Sequence, residues 1–301
     1  MSRNMGIDIA VDLKGFTQDQ RMGIFSYRAA PIQVSYLGYP GSTGAPYIDY
    51  VVADKTVIPQ ASQPCYSEKI AYLPNSYQVN DSSRKISDKV VTRSELGLPE
   101  CGFVFCCFNN NHKIVPSTFD SWMRILDRVP GSVLWLLQDN PTAAGNLRKE
   151  AASRGLDPHR LVFAPRTDVA EHLARHRAAD LFLDTLPYNA HTTAVDALWA
   201  GLPLLTLEGQ TFAGRVAASV LQAIGLPEMI TRSEADYESL AVALASNPEQ
   251  LQAIRSRLAA NRLTQPLFDT RLFAGHIEAL YARMYDRFHA GLEPDHIDVG
   301  L

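Results

Sequence analysis

The chain has 301 residues, a length that suits about two domains. Hydrophobic residues make up 46% and charged residues 20%, which excludes a disordered chain too poor in apolar groups to offset its conformational entropy. A net charge of −4 with scattered Lys and Arg gives no footprint for nucleic acid, and no apolar run nears the ~20 residues that cross a bilayer.

In chain order, IDIAVDL (7–13) reads as a first strand. Asp8 and Asp12 inside it argue against a signal peptide. IQVSYLG (32–38) and YVVA (50–53) predict two more strands. Between them, Gly38, Gly41 and Gly44 with Pro40 and Pro46 make a tight loop. That loop either brings backbone close to a ligand or turns the chain between domains. It is neither a Walker A loop nor a G-x-G-x-x-G fingerprint. Block 1–78 therefore looks too small for a complete domain, and polar residues 79–97 read as a linker.

Block 98–265 is more regular. Its strands are FVFCCF (103–108), SVLWLL (132–137), LVFA (161–164), DLFLD (180–184) and PLLTL (203–207). Near-continuous apolar strands separated by amphipathic stretches predict an α/β domain, Rossmann-like, with a parallel sheet covered on both faces. Thr92 and Glu95 have capping-box spacing before a helix, and Asp168 with Glu171 repeats the logic. Ser117 is placed to cap a helix whose apolar face is Phe119, Trp122, Ile125, Leu126 and Val129. Residues 241–263 read as two helices broken near Pro248, and 268–291 as one long helix. Cys65, Cys101, Cys106 and Cys107 fit neither a zinc site nor a disulfide framework, so a reducing cytoplasm is the simplest compartment.

Ligands of open parallel sheets bind beyond the carboxyl ends of the strands. After 103–108 come Asn109, Asn110, Asn111, His112 and Lys113, amides and an ammonium that suit a diphosphate or, equally, a solvated turn. After 161–164, His172 and Arg175 share a helix face and suit a nucleotide base, or else an exposed polar surface. After 180–184, His191, Thr192 and Thr193 sit where a helix should start, with Asp196 one turn on. That pattern fits an anion cradle with a ribose-binding carboxylate, or a plain capped helix. No H-E-x-x-H, G-x-S-x-G, C-x-x-C or Asp-x-Asp motif occurs, and the eight histidines form no ligand-spaced cluster.

Several segments together resemble the catalytic region of protein O-GlcNAc transferases, glycosyltransferase family 41, of bacterial type. They are 28–54, 66–77, 108–137, 183–207 and 209–228, in order over nearly the whole chain. The resemblance implies a GT-B architecture: one complete Rossmann-like C-terminal domain (98–265) and a partial N-terminal Rossmann-like half (1–78). Residues 266–301 would be a helix and tail crossing back to that half. It implies inverting transfer of N-acetylglucosamine from UDP-GlcNAc to Ser/Thr hydroxyls of a protein or peptide, with no essential metal, no nucleic acid and no membrane. GDP-fucose as donor, or an inactive nucleotide-sugar-binding fragment, are the alternatives. By resemblance Lys113 and Asn110 contact the diphosphate, His172 covers the uracil and Arg175 meets its edge. Thr192 and Thr193, beside His191, lie beneath the diphosphate and Asp196 holds the ribose. Val169 replaces a lysine of animal members. The family's tetratricopeptide repeats and its N-terminal active-site histidine segment have no counterpart here, so the first strands of that half are expected to be missing.

Overall fold

A computed structural model describes residues 2–300. Met1 and Leu301, the ends of the two outer segments drawn from sequence, lie outside the described residues. The strands are β1 (Ile9–Asp12), β2 (Ile32–Ser35), β3 (Tyr50–Asp54), β4 (Lys69–Leu73), β5 (Val104–Cys107), β6 (Val133–Leu137), β7 (Leu161–Ala164), β8 (Leu181–Leu183), β9 (Leu204–Leu207), β10 (Ile230–Thr231) and β11 (Ile297–Asp298). The helices are α1 (Met22–Phe25), α2 (Pro116–Arg128), α3 (Pro141–Ser153), α4 (Val169–Arg175), α5 (Thr192–Trp199), α6 (Val216–Ala223), α7 (Glu234–Ser246), α8 (Pro248–Asn261) and α9 (Thr270–His289).

Two sheets form, in the orders β1-β2-β3-β4-β11 and β10-β9-β8-β5-β6-β7. Every pairing is parallel. The cause is visible in the strands: all residues of β5 and β6 are buried, as expected for strands covered on both faces. In the second sheet the chain steps outward from β5 to β6 and β7. It then returns to the other side of β5 with β8 and steps outward again through β9 and β10. The switch point between β5 and β8 is where such a sheet opens a crevice beyond its carboxyl edge.

The first sheet has five strands rather than the three read from sequence. β4 starts on Lys69 in a segment whose apolar part is short, and β11 is two residues long. Neither carries a local signal strong enough to stand alone, because partner strands supply the stability. Two capping expectations fail. Ser117 lies inside α2, behind Pro116, and Val115 occupies the cap position without a side-chain bond. Asp168 does stand at the cap of α4, but its carboxylate makes no cap hydrogen bond. The Thr92–Glu95 box forms reciprocally: the Thr92 N–H donates to Glu95 at 2.7 Å and the Glu95 N–H to the Thr92 hydroxyl at 3.2 Å. It opens only a 3-10 turn, Ser94–Leu96, which Gly97 ends with φ +70°. The break at Pro248 and the single long helix α9 are as read from the sequence.

The sheets meet through Asp54, at the carboxyl end of β3. Its side chain is buried and accepts from the N–H groups of Thr56, Val57 and Tyr77. It also accepts from the Ser219 hydroxyl, 2.6 Å away on α6. Burial raises this carboxyl, and the four donors oppose the rise. Tyr77 adds an edge-on contact with Phe212, centroids 4.9 Å apart. Strand ends of one half are thereby locked against a helix start of the other.

Candidate functional site

A cleft of about 460 Å³ opens at the β5/β8 switch point. Asn110, Lys113, His172, Arg175, His191, Thr192, Thr193 and Asp196 all line it. Residues as far apart in sequence as Asn110 and Asp196 thus share one wall because three strand ends, those of β5, β7 and β8, converge there.

Lys113 enters on the turn after β5. Its ammonium donates to the Asn189 carbonyl at 2.8 Å and lies 4.2 Å over the Tyr188 ring. Burial lowers its pKa, while Asp184 opposes the shift. Tyr188 in turn stacks on His191, with centroids 4.8 Å apart. His191 is neutral: burial, then Lys113, push its pKa down to about 3. It precedes α5, whose first N–H groups, at Thr192 and Thr193, have no acceptor one turn back. Thr193 is fixed by its hydroxyl's bond to the Asn109 amide oxygen. An ammonium, two hydroxyls and a helix start therefore line the same cleft, a setting that favours an anion.

The other end of the cleft is walled by Phe108, His172 and Arg175. His172 lies 5.3 Å from Phe108, and the Arg175 guanidinium 4.4 Å above that same ring. Arg175 Nη1 donates to the Pro165 carbonyl at 2.6 Å, and Nη2 meets His172 Nδ1. Burial, then Arg175 and Arg166, push His172 down to about 4. The imidazole is neutral near pH 7, so Nδ1 accepts from Arg175 and Nε2 carries the proton. Asn110 is exposed at the rim and accepts weakly from Arg166 at 3.4 Å. Val169, on the same rim, is 64% exposed and supplies no polar contact.

Asp196 is not free. Arg84, from the segment read as a linker, forms a salt bridge with it. The Arg84 carbonyl also accepts from the Trp199 indole at 3.1 Å. Burial still raises the Asp196 carboxyl, and Arg84 opposes that rise. Arg84→Ala is expected to destabilise the fold by about 1–3 kcal/mol. In a double-mutant cycle with Asp196→Asn, measured by denaturant melts, the two losses should fall short of additive; simple additivity would show that the pair is energetically idle.

Sequence reasoning missed the residue that shapes the cleft. Asp184, at the end of β8, is buried and accepts from the N–H groups of Thr185 at 2.7 Å and Ala190 at 2.6 Å, and from the Thr206 hydroxyl at 2.7 Å. Burial lifts it to about 6. It folds the 184–191 loop back on itself and so places Tyr188, Asn189 and His191. An acidic residue closing an apolar strand was the available signal. The glycine loop 37–50 contributes no wall to the cleft. A Cβ on Gly38 would strike the Leu13 carbonyl oxygen, so this glycine serves close backbone packing within the first half. Among the described residues no group of three His, Cys, Asp or Glu could hold a metal ion, and no helix is long and apolar enough to cross a membrane.

Two parallel α/β halves, one with a nucleotide-type switch-point cleft, define a GT-B fold. The chain matches the family description Glycosyl transferase family 41 over residues 2–89 and 82–277, and it belongs to that family. It is 43% identical to the probable UDP-N-acetylglucosamine–peptide N-acetylglucosaminyltransferase SEC of Arabidopsis thaliana over 97% of its length, covering 31% of that protein. It is 29% identical to the corresponding enzyme of Caenorhabditis elegans, covering 35% of it. The solved Thermobaculum terrenum O-GlcNAc transferase variant K341M superimposes with a TM-score of 0.85 at 31% identity, over 94% of this chain and 54% of that one. The chain thus spans about a third of the length of these curated relatives.

Proposed function

We propose that the cleft binds UDP-GlcNAc and that the chain transfers its N-acetylglucosamine, with inversion, to Ser or Thr hydroxyls of a protein or peptide acceptor. The observation that carries this reading is the convergence of a part-buried ammonium, a helix start and the His172–Arg175–Phe108 group in one cleft. The family and the names of its relatives supply the sugar and the acceptor class.

In this reading His172 packs on the uracil and Arg175 holds its edge, with Asp196 accepting from the ribose. Lys113, Thr192, Thr193 and the start of α5 face the diphosphate, with Asn110 at its side. As the glycosidic bond breaks, negative charge collects on the departing diphosphate, and these donors are already oriented to receive it. The charge is assigned to protein groups rather than to a metal. Asn110 is shared with bacterial-type members and with the plant relatives that use GDP-fucose, so Asn110 and Val169 keep that donor open as the alternative. All four cysteines are free thiols, which suits a reducing compartment, and we assign the chain to the cytoplasm.

Calorimetry of UDP binding tests the donor site. UDP should bind and GDP should bind more weakly, because His172 with the His191-Thr192-Thr193 segment favours the uridine donor by resemblance to the family. His172→Ala should weaken UDP by about tenfold through lost ring packing, a loss of the size that stacking contributes. A preference for GDP would move the chain to the GDP-fucose reading. A folded sample that binds neither nucleotide would sink both.

A further inference from the structure

Among the described residues, the cations that line the cleft are Lys113, Arg166 and Arg175. Two of them are committed to the protein. Lys113 donates to the Asn189 carbonyl and lies over the Tyr188 ring. Arg175 is buried, with Nη1 on the Pro165 carbonyl and Nη2 on His172. Arg166 differs from both. It stands in the turn between β7 and α4 and is exposed at the rim. Among the described residues it forms no salt bridge, and the one hydrogen bond of its side chain, from Nη2 to the Asn110 amide oxygen, is 3.4 Å long. Its charge also reaches His172, where it adds to burial and Arg175 in keeping that ring neutral.

Arg166 therefore stands between the amide after β5 and the imidazole on α4, held by a contact that costs little to leave. A guanidinium presents a planar fork that matches two oxygens of one phosphate. The charges around it leave room for an anion. Asp196 is the carboxylate in the lining, and Arg84 already pairs with it. His172 and His191 are neutral. A diphosphate carries more negative charge than Lys113 offsets alone. On the first turn of α4 the neighbouring rim position is Val169, which offers no polar group.

We propose that Arg166 is a donor-binding residue whose guanidinium leaves the Asn110 oxygen and closes over the diphosphate from the rim, while Lys113 and the start of α5 hold it from within. The move also frees the Asn110 amide for the same phosphates. This assignment rests on the nucleotide-sugar reading above and adds to it a movable cation beside a fixed one.

The test compares wild type, Arg166→Ala and Arg166→Lys, with UDP binding read by calorimetry and uridine binding by NMR titration. The side chain is exposed on a turn, so both variants should melt as wild type does. Arg166→Ala should weaken UDP by about tenfold and leave uridine unchanged. Arg166→Lys keeps the charge without the fork, and its UDP affinity should fall between the two. The gap between wild type and alanine should narrow as salt is raised, because an exposed charge is screened. An equal loss for UDP and uridine would put Arg166 against the base through His172 and overturn the assignment. An unchanged UDP affinity in Arg166→Ala would overturn it as well, while leaving the donor reading in place. A wild-type chain that binds no UDP would instead remove the donor reading, and this assignment with it.

Discussion

Lys113→Ala should lower turnover of the sugar donor by about 10²-fold or more while leaving the fold intact. The ammonium is held by the Asn189 carbonyl and the Tyr188 ring, so it needs no rearrangement when charge appears beside it. Such preorganised charge acts most strongly where it is partly desolvated, and burial has already lowered this lysine's pKa. Because leaving-group charge grows toward the transition state, the loss should fall on kcat more than on KM. Single-turnover kinetics with UDP-GlcNAc would separate the two. A variant with normal kcat and only a raised KM would remove Lys113 from the chemistry and leave it as a simple binding contact.

The largest stability effect is expected at Asp184. Alanine there strands two backbone N–H groups and the Thr206 hydroxyl in the interior, with a loss of about 4 kcal/mol and a Tm lower by roughly 8–16 °C. Nucleotide affinity should fall as well, since the 184–191 loop carries Tyr188, Asn189 and His191. The pH dependence has a definite sign. Burial raises this carboxyl from 3.8 to about 6. Across that interval the folded chain holds a proton that the unfolded chain has released, so the stability contributed by this group falls as pH rises. Asp184→Asn cannot titrate, and wild type should gain stability relative to it as pH drops through the same interval. Parallel denaturation curves at each pH would refute the assignment.

How far the sequence could be read follows from where the information lies. β5, β6 and β8 are apolar along their length, and the loops after β5 and β8 are polar, so the carboxyl edge of the second sheet and its cleft residues were legible from local pattern. Arg84 was not. Its partner Asp196 is 112 positions away, and only the folded chain brings a linker arginine onto α5. β11 escaped for the same reason, since its partner β4 is remote in sequence, whereas β4 pairs with nearby β3 and went unread because its apolar run is short. Caps divided along a different line. Asn140, Asn247 and Asp269 each accept from an N–H three residues on, at 2.7, 3.1 and 2.8 Å. Ser117 fails because Pro116, pre-set for the first helical turn, moves the helix start ahead of it.

The pairing of β11 with β4 bears on how the molecule comes to be assembled. Ile297 lies against Ala71, a separation of more than two hundred residues, and α9 packs beside both strands. On a ribosome the first sheet must therefore wait, with β4 as an open edge, while the whole second sheet emerges and closes. Parallel edges left unpaired invite foreign strands. Closure over so long a chain is entropically slow, so the arrival of residues 297–298 is what closes the edge of the sheet that β1–β4 begin.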